Sequence, residues 1–219
     1  MKLEFTKKSR KQLLSTPIFR LHEDTSAHPQ TGEDGRYYVL DFPDWVNIIA
    51  LTPRGEIVMV RQWRHGTEAV ELEIPAGGLE PGEDPVEAAV RELREETGLA
   101  PRRATLLGQA RPNCAIQANR CYTVLCEGCV PAGETSFDAG EQIALELMSI
   151  ADIPRRVRDG SLRSGMMLVA LLWWMDREKK IAWPARSKTR ATKRRPKGSR
   201  AARAKARRKP RRTGRRRTT

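Results

Sequence analysis

A glycine-rich turn that runs straight into a capped, carboxylate-laden helix constrains this chain more than any other stretch. Residues 77–99 read Gly-Gly-Leu-Glu-Pro-Gly-Glu-Asp-Pro-Val-Glu-Ala-Ala-Val-Arg-Glu-Leu-Arg-Glu-Glu-Thr-Gly-Leu. Asp84 is a helix N-cap with Pro85 at the first helical position and Glu87 three residues after the cap, and Gly98 is a C-terminal stop. The spacing predicts a helix over 85–97 with Val86, Ala89, Val90, Leu93 and Thr97 inward. Glu92, Glu95 and Glu96 then share one face, where like charges repel by about a few tenths of a kcal/mol per pair. A solvated face relieved by Arg91 and Arg94 would account for them. So would hard oxygen ligands gathered for Mg2+ or Mn2+, beside a glycine turn that lets backbone approach a ligand closely.

Around this helix the chain reads as strands. Ile18–His22, Tyr37–Phe42, Trp45–Leu51, Glu56–Gln62 and Val70–Ile74 precede it, with Thr-Pro-Arg-Gly as a turn between the third and fourth. Met1–Leu14 reads as a polar lead-in and Asp24–Arg36 as a hairpin or loop. Strands follow at Thr105–Ala110, Arg120–Cys126 and Ile143–Ser149, then helices over 152–159 and 168–178. Strands, helix, strands, helix predicts an α/β sandwich with a mixed sheet, preceded by an N-terminal antiparallel strand region. The expected division is 1–43, 44–182 and a tail from 183 to 219.

The net charge of +14 belongs to that tail: residues 186–219 hold 18 of the 41 lysines and arginines and no acid, leaving 23 basic against 27 acidic residues elsewhere. Lacking large apolar residues, the tail is expected to be disordered, and either binds nucleic acid or another polyanion by counterion release or serves as an inert, solubilising extension. Residues 186–219 hold no aromatic residue, so base reading is not suggested. No apolar segment follows the polar, basic first twelve residues, and the longest apolar run, 166–175, has ten residues against the roughly 20 of a membrane span. The expectation is a cytoplasmic protein with no membrane segment. Cys114, Cys121, Cys126 and Cys129 include one Cys-x-x-Cys and no second pair at zinc spacing, which favours reduced, buried thiols.

Gly77, Glu83, Arg91-Glu92-Leu93, Glu95-Glu96 and Gly98-Leu99 stand at the spacing of the Nudix hydrolase signature, which this stretch resembles at every fixed position. Trp45–Gly66, with Leu72-Glu73-Ile74-Pro75-Ala76-Gly77, is similar to the ADP-ribose and nucleoside-diphosphate-sugar pyrophosphatase branch. The resemblance implies a Nudix-type α/β/α sandwich and water attack on the pyrophosphate of a nucleoside diphosphate sugar, yielding a nucleoside monophosphate and a sugar phosphate. It implies Mg2+, with Mn2+ as a substitute, held by Glu92, Glu96 and the Ala76 carbonyl, with Glu95 as a further ligand or a group behind it. Catalysis would rest on Glu96, Glu95 and Glu141. Gly77, Glu83, Arg91 and Gly98 would be structural, Arg91 orienting the glutamates.

Glu141 resembles in position the loop glutamate that activates water in this branch; a turn residue is the competing reading. Arg64 and Arg61 end a strand and alternate in facing, so one at most reaches phosphate, and the resemblance selects Arg64. Trp45 either stacks on a base or belongs to a core or dimer interface, and Glu73 either supports the metal site or faces solvent. The family's Ser-Pro-Gly-like segment is replaced by Arg111-Pro112-Asn113-Cys114, which argues against strict ADP-ribose specificity. Relatives of this branch are commonly homodimers, which the N-terminal segment accommodates. The alternative function is a nucleic-acid-associated protein or an RNA 5′-end pyrophosphohydrolase targeted by the tail.

Overall fold

Val46, Ile48 and Ala50 alternate with Trp45, Asn47 and Ile49 along one strand, so its period-two geometry hands side chains to opposite faces. The computed structural model, which describes residues 1–137, 140 and 142–179, builds two cores on that strand. Asp138, Ala139, Glu141 and the tail from Lys180 lie outside the described residues, and with them the expectations that rest on Glu141 and on residues 186–219.

Three N-terminal strands, β1 (Thr6–Ser15), β2 (Arg20–Ala27) and β3 (Asp34–Asp41), form an antiparallel sheet in sequence order. Then come β4 (Trp45–Leu51), β5 (Glu56–Arg64), β6 (Ala69–Glu73), β7 (Ala76–Gly78), α1 (Pro85–Thr97), β8 (Leu99–Ala100), β9 (Arg103–Ala110), β10 (Cys121–Glu127), β11 (Val130–Pro131) and β12 (Ile143–Ser149). A 3-10 turn, Ile150–Asp152, leads into α2 (Ile153–Arg158) and α3 (Gly165–Arg177). The main sheet runs β12-β5-β4-β10-β9, with β6 added to β5 and β7 to β4; β4 and β10 are parallel and the other pairs antiparallel.

One face of this mixed sheet presents Val46, Ile48, Ala50, Val58, Val124 and Cys126 to Ala88, Ala89 and Leu93 of α1. The other presents Ile49, Ile57, Met59 and Leu125 to Met167, Ala170, Leu171 and Trp174 of α3. The result is the expected α/β/α sandwich. Each fully buried Leu or Ile contributes roughly 1.5–3 kcal/mol, so both helices are held mainly by these faces rather than by their own propensity.

Helix α1 begins and ends where its punctuation predicts. The Asp84 carboxylate accepts from Val86 N at 2.8 Å and Glu87 N at 3.4 Å, and the Gly98 N–H donates to Arg94 O from a left-handed residue with φ 67°. A Cβ at Gly98 would sit 2.6 Å from the Gly133 carbonyl oxygen, which is backbone and cannot swing away. Gly98→Ala is therefore expected to cost about 2 kcal/mol of stability, read as a lower urea midpoint at unchanged slope.

The N-terminus departs from expectation. Met1–Leu14 is not a lead-in, because Thr6–Ser15 pairs along its length with β2 although every residue in it is exposed. Arg10 grips Asp24 through two hydrogen bonds of 2.6 and 2.7 Å, a partnership between strands that no local pattern announces. The guanidinium holds the Asp24 carboxyl below its ordinary pKa. Of the two readings of Asp24–Arg36, the hairpin is the one found: β2 runs on to Ala27 and β3 starts at Asp34, which leaves residues 28–33 as its loop. Cys121, Cys126 and Cys129 are buried free thiols, pushed up by burial to about 12, about 12 and about 11, and Cys114 is exposed. Among the described residues no helix is long and apolar enough to cross a membrane.

Candidate active site

The short strand β7 organises the site. Ile48 N donates to Pro75 O and Leu79 N to Asp44 O, so alternation along this antiparallel ladder makes Asn47 and Ala76 a non-hydrogen-bonded pair. The Ala76 N–H and C=O therefore turn away from β4. The N–H is taken by Glu96 Oε2 at 3.1 Å, which anchors a carboxylate with only 6% residue exposure beside the edge of the sheet. At Gly77 there is no room for a side chain, because a Cβ would land inside the Glu92 carboxylate. Glycine is needed here for close approach rather than for a turn.

Arg91 ties the cluster together. Its Nε and Nη2 each donate to the Glu83 carboxylate at 2.9 Å, Nη1 donates to Glu92 at 2.8 Å and Glu95 at 3.0 Å, and Nη2 also reaches Gly78 O at 3.0 Å. Hydrogen bonding to Arg91 draws the Glu83 pKa down, and Glu83 in turn does most to raise that of the guanidinium. Glu83 also accepts from Glu80 N at 2.9 Å, closing the turn onto the helix.

The three helix glutamates do not share one environment. Side-chain exposure is 15% at Glu92 and 42% at Glu95, and Glu95 lines a separate hollow with Val86, Val90 and Glu134. The difference follows from β7, which Glu92 and Glu96 meet at Gly77 and Ala76.

The donors present suit a hard divalent cation. Two carboxylates one helical turn apart and an outward-facing backbone carbonyl are all oxygen, and Mg2+ is typically held by one or two carboxylates, with waters and substrate phosphate completing its shell. Among the described residues no group of three His, Cys, Asp or Glu side chains forms a metal cluster, so phosphate oxygens would supply the remaining ligands. Glu92, Glu96 and Ala76 O are the groups that fit.

A cleft of about 970 Å³ opens from β7 across the α3 face of the sheet. Trp45, Arg64, Glu73, Ala76 and Gly77 line it, joined by Arg111 of the segment that replaces the Ser-Pro-Gly pattern and by Asn47, Glu71 and Arg163, to which the sequence assigned no role. Arg64 donates to Glu73 at 2.7 Å. Arg163 grips Glu71 through bonds of 2.9 and 2.7 Å, lowering the Glu71 pKa. Arg61 is placed elsewhere, donating to Glu146 of β12 at 2.7 Å, as strand alternation requires. The signal for Asn47 was present, since it is the one polar residue in Trp-Val-Asn-Ile-Ile-Ala-Leu and falls on the Trp45 face. Arg163 had no such signal, lying 92 residues from its partner.

A family model described as NUDIX domain matches residues 42–165. An ADP-ribose pyrophosphatase of Mycobacterium tuberculosis (strain ATCC 25618 / H37Rv) is 31% identical over 173 residues, covering 77% of this chain and 82% of that protein. An ADP-ribose pyrophosphatase of Bacillus subtilis (strain 168) is 36% identical over 97 residues, 44% of this chain and 52% of that protein. The chain thus spans about half the length of the Bacillus protein it matches. The crystal structure of an ADP compounds hydrolase superposes with a TM-score of 0.73 at 20% identity, covering 83% of this chain and all of that one, a likeness of fold.

Proposed function

Because this chain belongs to the Nudix family, in its ADP-ribose pyrophosphatase branch, we propose that it hydrolyses the pyrophosphate bond of a nucleoside diphosphate sugar of the ADP-ribose kind. The products would be a nucleoside monophosphate and a sugar phosphate. The observation that carries this reading is the Ala76–Glu96 bond, with Gly77 against Glu92, at the foot of a cleft large enough for a nucleotide.

A bare glutamate cluster would repel a pyrophosphate. A bound divalent cation, Mg2+ or Mn2+, would supply charge neutralisation at the phosphoryl oxygens and a lowered pKa for a coordinated water. Glu92, Glu96 and the Ala76 carbonyl would hold it. Arg91 fixes Glu92 and Glu83 in place and is itself consumed by carboxylates, so it orients ligands without touching phosphate. Trp45 offers an aromatic face to the nucleoside within the cleft, and Arg64, held by Glu73, stands at the cleft wall as the phosphate contact carried over from the family resemblance. Glu95, exposed and on a separate hollow, serves the cluster through Arg91.

Incubating the protein with Mg2+ and a panel of nucleotide sugars, dinucleoside polyphosphates and 5′-triphosphorylated RNA, with products read by mass, tests the reading. Release of AMP and ribose 5-phosphate from ADP-ribose is the expected result; turnover of RNA ends alone would overturn it. Glu141 is proposed as the general base. Glu141→Gln is expected to lower turnover about a hundredfold at nearly unchanged metal affinity, and a fall below about threefold would remove it from the mechanism.

A further inference from the structure

The charges lining the cleft do not cancel. Arg64 is matched by Glu73 at 2.7 Å and Arg163 by both oxygens of Glu71, which leaves Arg111 as the surplus cation among the lining residues. Its one described hydrogen bond runs from Nη1 to Ala118 O at 2.7 Å, a neutral acceptor, and among the described residues it has no carboxylate within ion-pair distance. That bond closes the loop after β9 on itself. The loop is fixed further by Leu40 N donating to Ile116 O at 2.8 Å and Gln117 N donating to Asn113 O at 2.8 Å. The guanidinium is thereby oriented before any ligand arrives.

Sheet register gives its distance from the metal-binding end. Gly78 faces Trp45, Trp45 faces Cys121, and Cys121 faces Ala110, the residue before Arg111. Four strands in one row span about 14 Å between the first and last backbones. Arg111 therefore enters the cleft from the side opposite Ala76 and Gly77, with Trp45 between them, and is placed for an anion other than those seated at β7. A planar guanidinium with open donors recognises phosphate in two-pronged fashion.

We infer that Arg111 forms a second anion subsite, and that the preferred substrate is a nucleoside diphosphate derivative bearing a further phosphate on the part that fills the cleft, such as a 2′- or 3′-phosphorylated ribose. The inference rests on the pyrophosphatase reading above and narrows its substrate. Such a substrate joins two anionic groups across an aromatic platform, which matches the order of groups along the sheet.

The test uses the full chain with Mg2+ and two matched pairs, ADP-ribose with its 2′-phosphate and dephospho-coenzyme A with coenzyme A. Wild-type protein is expected to favour the phosphorylated member of at least one pair by about tenfold in kcat/KM, carried in KM. Arg111→Met should bring that ratio to about unity, and Arg111→Lys, which keeps the charge and loses the fork, should retain part of it. If Arg111 merely holds the loop, the methionine variant will lower both members alike and leave the ratio unchanged, which overturns the inference. Equal turnover of both members of both pairs by wild-type protein overturns it as well, while leaving the pyrophosphatase reading intact. Hydrolysis of none of the four defeats that reading itself.

Discussion

Glu96→Gln is expected to lower kcat about a thousandfold while leaving the folded structure in place. Glutamine keeps an oxygen able to accept from Ala76 N, so the bond now measured at 3.1 Å survives and the melting temperature should move by no more than about two degrees. What disappears is the negative charge at a position with 6% exposure, where solvent does little to mask it. Affinity for Mn2+, followed by titration without substrate, should weaken in parallel. A loss of less than about tenfold in kcat would mean that Glu96 serves β7 and not the reaction.

Gly77→Ala should be almost as damaging for a different reason. A methyl group there would occupy the space of the Glu92 carboxylate, which is the mobile end of a long side chain. The carboxylate, rather than the backbone, is what yields. Stability is expected to change by less than about 1 kcal/mol, yet a displaced ligand costs about two to three orders of magnitude in kcat. Steady-state kinetics beside a urea melt separates the two quantities. A variant that unfolds early, or one that keeps near-normal turnover, would contradict the placement of Glu92 against Gly77.

Local signals in the sequence proved the most legible. Asp84, Pro85 and Gly98 mark the two ends of α1 at Pro85 and Thr97, because capping is settled within a turn of the chain. The mixed sheet and its helices follow from alternation and order along the chain. Facing within the helix was harder to read: Glu92, Glu95 and Glu96 all fall within about 100° on a helical wheel, and it is β7 that covers Glu92 and Glu96 and leaves Glu95 out. Three-residue β7 carries no strand propensity, and its pairing with β4 depends on the fold already being assembled. The N-terminal strand is missed for a similar reason, since Thr6–Ser15 has no buried residue to set a period and owes its state to β2. Arg163 and Glu71 meet only in three dimensions.

The parallel pairing of β4 with β10 also bears on how the chain reaches its native state. Trp45 through Leu51 lie beside Cys121 through Glu127, so the middle of the sheet joins segments separated by α1 and β9. Closing so long a loop is entropically costly before any contact rewards it, and such pairings form slowly. During synthesis Val46, Ile48 and Ile49 emerge well before the strand that covers them, leaving an apolar strand edge open in the interval. The capped helix is marginal until it packs on the sheet, and the cleft floor beside it cannot exist until Cys121–Glu127 has been made. Truncation between α1 and that strand therefore yields a chain with its signature segment and no place for a nucleotide.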